Sequence, residues 1–328
     1  MFTIVTNPDI FYDDYLPVRI VSREPQIQEI RFSLQPLLEQ KKPSPIWIHG
    51  EPGSGKTSTV KFILKELEEV GVKGIYINCW EFNSFYSVID KITEGLLAPK
   101  SSRSGYYKFH LFENYTRKRP VVLILDEADK NRDIAKLIYH LSDLRIGMVY
   151  ISCSLYTLYS LETRSKSRFN GIFIEFKPYN IQDLIEILKE RAKFGLHPGT
   201  WTLKLLEEIA RLSKGDARIA IQTLKNAGDR ADHEGAPKIS LKYARLGFGR
   251  AKSLRKTYRL KKLTDHHRTI YELVKKNPGI ISGELWSKYS KCRKPVARRT
   301  FTLYLTQLIN LGLIRSERAR GRSRTFRV

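Results

Sequence analysis

The feature that most constrains this chain is the segment Gly-Glu-Pro-Gly-Ser-Gly-Lys-Thr at positions 50–57. It fits the pattern G-x-x-x-x-G-K-[ST], in which backbone N–H groups at the start of a helix converge on phosphate oxygens. An apolar run, Ile46 to Ile48, precedes it, and apolar residues on one helical face follow it: Val60, Ile63, Leu64 and Leu67. The alternative is a chance match to the pattern. The strand before the segment and the helix after it argue against chance. The chain must therefore contain a strand, a loop and a helix in that order, as α/β folds do.

The same pattern predicts which residues of the loop touch a bound nucleotide. Lys56 adds positive charge at the β- and γ-phosphates, and the Thr57 hydroxyl binds Mg²⁺. ATP or ADP with Mg²⁺ is therefore the expected ligand. The residues expected to contact it are Gly50, Pro52, Gly53, Ser54, Gly55, Lys56, Thr57 and Ser58.

A second strand-like run ends in acidic residues. Residues 121–129 read Val-Val-Leu-Ile-Leu-Asp-Glu-Ala-Asp, which places Asp126 and Glu127 at the end of a buried strand. Beside a phosphate loop, this pattern predicts that Asp126 holds Mg²⁺, directly or through water, and that Glu127 orients and deprotonates the attacking water. An ordinary helix cap is the alternative. RNA helicases share the letters Asp-Glu-Ala-Asp, but they need a second nucleotide-binding lobe. The strand-like runs of this chain end near residue 176, so we reject the helicase interpretation.

Strand-like runs alternate with helical stretches up to residue 176, which predicts a parallel sheet covered by helices. From Pro178 to about Gly249 the apolar pattern is helical throughout, and a basic segment follows. The predicted divisions are a nucleotide-binding α/β domain at 1–176, a helical domain at 177–249, a basic connector at 250–262 and a third compact unit at 263–328.

The net charge of +24 is concentrated at one end of the chain. Residues 250–328 contain 22 Lys and Arg against 4 Asp and Glu, which is +18 of that total. A solvated surface usually mixes both signs, so this part predicts a polyanionic partner, either nucleic acid or a membrane surface. The three cysteines are too few and too far apart for a disulfide framework or a paired zinc site. No apolar run approaches the roughly 18–20 residues that span a bilayer, which predicts a soluble intracellular protein.

The apolar pattern of residues 263–328 predicts a winged helix, with three helices followed by two strands. Basic residues crowd the start of the third helix, and others lie between the strands, where a wing belongs. The residues expected to contact DNA are Lys294, Arg298, Arg299, Thr302, Arg318, Arg320 and Arg322. Most of them are expected to touch phosphates, and Arg298, Arg299 or Thr302 are the candidates for base contacts. A winged helix that binds protein is the alternative.

The order of these motifs resembles that of archaeal origin-recognition and cell-division-cycle replication initiators, which are AAA+ P-loop ATPases with a helical lid and a carboxy-terminal winged helix. Three further segments carry the resemblance: an adenine-pocket segment at 15–27, a lid entry at 176–191 and a sensor-2 motif, Gly-Asp-Ala-Arg, at 215–218. The resemblance implies that Tyr179 and Arg191 contact the nucleotide. It also implies that Arg218 reaches the γ-phosphate, although a solvated arginine at a helix start is the alternative.

Two positions bear on ATP hydrolysis. The chain around Arg168 resembles the region of an arginine finger, which implies that Arg168, or else Arg164, completes the ATP site of a neighbouring subunit; plain surface charge is the alternative. The family's sensor-1 Asn is replaced by Cys153, and a thiol is a poor hydrogen-bond partner for the attacking water unless Ser152 or Ser154 substitutes. We therefore expect ATP binding with weak or absent hydrolysis.

The resemblance implies an ATP-dependent DNA replication initiator that binds duplex origin DNA and helps load the replicative helicase. Other initiator subunits are further expected partners, a membrane is not, and the expected location is the cytoplasm, at the nucleoid. Initiators of this family also lean on DNA through an extra helix, which implies a second DNA contact at Arg103 in the insertion 82–118. The alternative is a P-loop ATPase with a winged helix that regulates transcription or serves a plasmid or virus. The basic third unit argues against a clamp-loader-like motor.

Overall fold

The computed structural model describes residues 2–97, 104–261, 264–292, 295–310, 313–318 and 324–328. The chain divides into two compact units, Met1–Phe248 and Gly249–Val328. Within the described residues, no helix is both long enough and apolar enough to span a bilayer.

A parallel five-stranded sheet organises the first unit and confirms the predicted alternation of strands and helices. The strands are β1 (Ile46–Gly50), β2 (Lys73–Asn78), β3 (Val121–Asp126), β4 (Gly147–Ser152) and β5 (Ile172–Phe176). They lie in the order β2-β3-β4-β1-β5, so the strand that leads into the phosphate loop lies between β4 and β5. Asn78 pairs in register with Asp126, and Gly50 pairs with Phe176. The carboxyl ends of the strands thus meet at one edge, where ligands bind in open α/β sheets.

The helices described around this sheet are α1 (Glu24–Leu34), α2 (Lys56–Glu69), α3 (Phe85–Leu97), α4 (Gly105–Thr116), α5 (Ile134–Leu141), α6 (Tyr156–Tyr159) and α7 (Thr163–Arg168). Neighbouring residues of a strand point to opposite faces of a sheet, and here both faces are buried. Trp47 packs in one cluster with Leu123 and Tyr150. The next residue, Ile48, packs in another cluster with Ile124. Such coverage on both faces is usual for a parallel sheet.

The residues after β5 in the first unit form helices. These helices are α8 (Ile181–Gly195), α9 (Leu203–Ser213), α10 (Ala217–His233) and α11 (Leu241–Lys261), of which α11 continues beyond the unit. Asn180 caps α8 through a capping box with Asp183. Asp216 caps α10, because its side chain accepts the N–H groups of Arg218 and Ile219. These caps fix where two helices start, directly beside the phosphate loop.

The first residues of the chain pack on this helical part rather than on the sheet. Ile4 is fully buried in the same cluster as Leu184. The N–H groups of Ile4 and Val5 donate to the carboxylate of Asp232 in α10. The sequence pattern predicts that residues 1–176 form the nucleotide-binding domain. The apolar residues at its start instead complete the core of the helical part, because they find their apolar partners there.

The predicted connector at 250–262 is helical as far as the structure describes it. Helix α11 runs to Lys261, and residue 262 lies outside the described residues. The segment contains no Pro and no Gly, so nothing in it ends a helix that has already started.

The second unit contains α12 (Asp265–Lys276), β6 (Ile280–Ile281), α13 (Ser282–Ser290), α14 (Arg298–Asn310), β7 (Arg315–Arg318) and β8 (Arg324–Arg327). The strands pair antiparallel in the order β6-β8-β7. Ile270, Leu285 and Phe326 join the helices and the sheet in one core. The sequence predicts these helices and the last two strands in this order. The two-residue β6 is too short to give a periodic signal.

Candidate functional site

The loop between β1 and α2 is shaped by three glycines. Gly50, Gly53 and Gly55 have φ angles of 147°, 80° and 90°, which residues with side chains rarely adopt. A Cβ on Gly53 would lie 2.0 Å from a carboxylate oxygen of Asp216. A Cβ on Gly55 would lie 2.3 Å from the hydroxyl oxygen of Tyr179. The helical part of the unit therefore lies directly against the loop, and only glycine fits between them.

Lys56, the first residue of α2, reaches back to the loop. Its Nζ donates to the carbonyl oxygens of Gly50 at 2.7 Å and Glu51 at 2.9 Å. Burial lowers the pKa of Lys56, and the guanidinium of Arg218 lowers it further. Ser54 is 1% exposed, and its Oγ has no hydrogen-bond partner among the described residues. A desolvated ammonium and a buried hydroxyl without a partner both favour an anionic ligand, so the loop fits a phosphate group.

Thr57 and Asp126 lie together at the carboxyl edge of the sheet. Thr57 Oγ1 donates to Asp126 Oδ2 at 2.8 Å, and the Tyr76 hydroxyl donates to the same oxygen at 2.6 Å. Burial raises the pKa of Tyr76, and the charge of Asp126 raises it further, so Tyr76 remains a donor. Mg²⁺ is usually held by one or two carboxylates together with waters and substrate phosphates. The hydroxyl and the carboxylate beside a phosphate loop fit such a site.

Glu127 follows Asp126 with a left-handed backbone, at a φ of 53°. The indole N–H of Trp80 donates to Glu127 Oε2. Burial raises the pKa of Glu127, and the carboxylates of Asp129 and Asp126 raise it further. A carboxylate with a raised pKa is a stronger proton acceptor at neutral pH as long as it stays ionised, which suits the predicted role of Glu127.

Sequence reasoning missed the two aromatic residues that contact this acidic pair, Tyr76 and Trp80. Tyr76 lies in β2, and Trp80 lies in the turn after it. Aromatic residues in and near a strand are typical of core packing, so neither residue carries a functional signal of its own. Knowledge that β2 pairs with β3, which places Asn78 beside Asp126, would have identified both.

Cys153 directly follows β4 and is exposed. The neighbouring Ser152 hydroxyl is buried, accepts from Trp47 Nε1 at 2.9 Å and donates to the Ser154 carbonyl oxygen at 2.7 Å. The Ser154 hydroxyl accepts the N–H of Tyr156 at 3.3 Å. Ser152 is thus committed to other partners. Cys153 remains the residue at the position that the resemblance assigns to sensor 1.

The helical part contacts the loop through backbone and side chains. The N–H of Ala217 donates to the carbonyl oxygen of Gly53 at 3.1 Å. Tyr179 places its hydroxyl against the last loop glycine, as described above. Arg218 is exposed at the start of α10, and its charge acts on the pKa of Lys56. The structure therefore brings Tyr179 and Arg218 to the phosphate loop.

Arg191 has different contacts. Its Nη1 donates to the carbonyl oxygen of Ile10 at 2.5 Å, and its guanidinium carbon lies 4.3 Å from the centroid of the Tyr15 ring. The side chain is buried, and this burial lowers its pKa. These contacts tie α8 to the segment that precedes α1. A contact of Arg191 with the nucleotide stays a prediction.

The two arginine-finger candidates both contact Tyr139. The guanidinium carbons of Arg168 and Arg164 lie 4.8 Å and 5.1 Å from the centroid of the Tyr139 ring. Arg168 Nη1 also pairs with Asp143 Oδ1 at 2.6 Å, and both partners are well exposed. Exposed ion pairs contribute about 0–1 kcal/mol, so this one holds Arg168 only weakly in its own chain.

The basic residues of the second unit are described in part. Arg298 and Arg299 are exposed at the start of α14, and Thr302 is exposed one turn later. Arg298 and Thr302 border a hollow of about 160 Å³ on this face of α14. Arg318 is the last residue of β7. The predicted DNA-contacting residues that lie outside the described residues are Arg103, Lys294, Arg320 and Arg322.

Family comparisons match both parts of the first unit. A family described as an AAA domain matches residues 39–158, and one described as a Cdc6 AAA+ ATPase-type lid domain matches residues 185–246. The chain is 28% identical over 345 residues to ORC1-type DNA replication protein 1 of Sulfurisphaera tokodaii, covering 95% of this chain and 85% of the relative. It is 24% identical over 347 residues to ORC1-type DNA replication protein 3 of Haloarcula marismortui, covering 98% of this chain and 92% of that relative.

A solved structure of similar fold is that of the Aeropyrum pernix ORC1 protein in complex with DNA. The TM-score is 0.82 at 24% identity, over 100% of this chain and 94% of the other. The first match contains the phosphate loop and the acidic strand, and the second contains most of α8, all of α9 and α10, and the start of α11. The chain therefore contains an AAA domain followed by a Cdc6-type lid, and its homologues along most of its length are archaeal ORC1-type DNA replication proteins.

Proposed function

We propose that this protein is an ATP-dependent DNA replication initiator, which binds duplex origin DNA and helps load the replicative helicase. The observation that carries the proposal is the similarity to ORC1-type DNA replication proteins along 95% of the chain. The geometry of the phosphate loop, which fits an anionic ligand, supports the dependence on ATP. Such a role places the protein at the nucleoid, in the cytoplasm.

In this proposal the first unit binds ATP with Mg²⁺. Lys56 and the N–H groups of the loop bind the phosphates, while Thr57 and Asp126 hold the metal ion, whose charge stabilises the phosphate oxygens. Glu127 accepts a proton from the attacking water. In an assembly with other initiator subunits, Arg168 leaves its exposed ion pair and completes the site of a neighbour.

The lid responds to the nucleotide because it touches the loop that binds the phosphates. The Ala217 N–H donates to the Gly53 carbonyl oxygen, so a shift of the loop is passed to α10 through the backbone. Arg218, at the start of the same helix, is the residue proposed to reach the γ-phosphate. ATP and ADP then favour different positions of the lid, since only ATP offers that group.

The second unit is the proposed DNA-binding winged helix. Its helix α14 enters the major groove by its basic end, where Arg298, Arg299 and Thr302 are exposed. The arginines proposed for the wing, which lies in the adjacent minor groove, are Arg318, Arg320 and Arg322. Phosphate contacts dominate the affinity, and therefore duplex binding weakens steeply with salt.

The proposed role is tested by mapping the DNA sites that the protein occupies in its own cells through the cell cycle. An initiator should occupy clustered inverted elements beside a start of replication, before the replicative helicase arrives there. Recruitment of the helicase should fail when the protein is depleted. Occupancy of isolated promoters, with normal helicase recruitment after depletion, would instead indicate a regulator of transcription.

Replacement of the unusual residue at the sensor-1 position should increase catalysis. Cys153→Asn should raise the rate of ATP hydrolysis about tenfold or more, because an amide orients the attacking water better than a thiol does. Phosphate release at saturating ATP measures this rate, and the affinity for ATP should change little. Ser154→Asn, one exposed position further along, is the matched control. Equal rates in Cys153→Asn and the unmodified chain would refute the sensor assignment.

A further inference from the structure

Arg23, directly before α1, is a buried cation that contacts both sides of the nucleotide site. It is 5% exposed. Its Nε donates to the Ser54 carbonyl oxygen at 3.1 Å, and its Nη2 donates to the Lys177 carbonyl oxygen at 2.6 Å. Its guanidinium carbon lies 4.0 Å from the centroid of the Tyr179 ring. Ser54 belongs to the phosphate loop, whereas Lys177 and Tyr179 belong to the entry of the lid, so one guanidinium joins the two.

Ser22, the preceding residue, makes a second connection to the lid. Its Oγ donates to Asp183 Oδ1 at 2.7 Å. Asp183 Oδ2 accepts the N–H of Asn180, so Ser22 binds the carboxylate that caps the first lid helix. Ser22 has a φ of 55°, a left-handed conformation that costs free energy for any residue except glycine. Such strain persists where the surroundings impose it. Here the side chains of Ser22 and Arg23, which are neighbours in the chain, are both held by hydrogen bonds.

The position of these two residues matters for nucleotide exchange. The lid covers the loop at two places, where Ala217 donates to Gly53 and where the Tyr179 hydroxyl lies against Gly55. A nucleotide bound to the loop leaves only after the lid has moved away from it. That movement separates the loop from the lid entry, which are the two elements that Arg23 joins.

We propose that Ser22 and Arg23 form a clip that fastens the lid to the phosphate loop and thereby limits the rate of nucleotide release. The inference rests on the proposed nucleotide site and adds a control on its exchange. Both residues act by positioning the loop and the lid.

The release rate of a fluorescent ADP analogue from the full chain, chased with excess ADP, tests the clip. Arg23→Met should accelerate release about tenfold or more, because it removes both hydrogen bonds and the cation over the ring. The release rate of Arg23→Lys should lie between those of the unmodified chain and Arg23→Met, since lysine keeps the charge but lacks the planar fork that reaches two carbonyl oxygens. Ser22→Ala should accelerate release about threefold, because it removes one neutral-donor bond to a carboxylate.

Asn226→Ala provides a matched control for general loss of stability. The Asn226 side chain is buried in the lid and donates to the Gly247 carbonyl oxygen at 3.2 Å, away from the loop. This variant should lower the thermal midpoint without changing the release rate. Unchanged release from Arg23→Met, or equal acceleration by Asn226→Ala, overturns the clip while leaving the nucleotide site intact. An unmodified chain that does not bind the analogue at all overturns the nucleotide site and the clip together.

Discussion

Lys56→Ala should weaken the binding of ATP and ADP at least about 100-fold. The ammonium is desolvated and held by two loop carbonyl oxygens, Gly50 and Glu51, where a phosphate would replace them as partner. Each charged hydrogen bond is worth about 1.5–3 kcal/mol, so two lost contacts to phosphate account for this factor. Isothermal titration of the full chain with each nucleotide in Mg²⁺ measures it.

Lys65→Ala on the same helix α2 is the matched control for Lys56→Ala, since Lys65 is exposed and the change in net charge is identical. It should bind nucleotide as the unmodified chain does. Duplex DNA affinity should be largely kept in both variants, because neither Lys56 nor Lys65 is among the residues expected to contact DNA. Undiminished nucleotide affinity in Lys56→Ala would mean that the loop is not the phosphate site.

The double substitution Arg298→Glu and Arg299→Glu should lower the affinity for duplex DNA about 100-fold at moderate salt. Both arginines are exposed at the basic start of α14, and each reversal replaces an attraction to phosphate with a repulsion. The slope of log affinity against log salt should fall by about 1 for each of the two arginines that contacts a phosphate, since about one counterion is released for each such contact. Fluorescence anisotropy with a labelled duplex across a salt series measures both quantities.

A charge-matched control separates a local contact from the overall charge of the protein. Lys41→Glu with Lys42→Glu changes the net charge by the same amount in the first unit, where both residues are exposed. Its loss of affinity for duplex DNA should be several-fold smaller than that of the Arg298→Glu and Arg299→Glu variant, and its salt slope should be unchanged. If both pairs of reversals weaken binding equally, DNA recognises the net charge of the chain, and the assignment of α14 to the groove is wrong.

The central part of the site is predictable from sequence because its signals are local. The phosphate loop carries its own spacing of glycines, Lys56 and Thr57, and the flanking apolar periodicity locates β1 and α2. Asp126 and Glu127 are identified by their position at the end of an apolar run. The sheet brings these elements together because the carboxyl ends of parallel strands meet at one edge. The structure thus places Thr57 against Asp126, 69 positions apart, at 2.8 Å.

The residues that sequence reasoning missed depend on contacts between distant segments. Trp80 touches Glu127 only because β2 pairs with β3 in one register. Arg23 lies in a segment that resembles an adenine-pocket motif, yet its contacts with Ser54 and Lys177 depend on how the lid entry returns to the loop. No periodicity or spacing encodes such contacts. The same holds for the buried start of the chain, whose partners lie 181 to 228 positions later.

The packing of Ile4 and its neighbours into the helical core makes the lid a discontinuous domain, into which the whole α/β domain is inserted. Its first segment, in which Val5 forms an isolated antiparallel bridge with Leu196, is synthesised long before its partner exists. The core of the lid can therefore form only after the inserted domain has brought the two segments of the lid near each other. A lid fragment expressed alone from residue 177 would lack this piece and expose the apolar residues that pack against it, whereas a fusion that carries residues 2–15 as well supplies the missing part of its core.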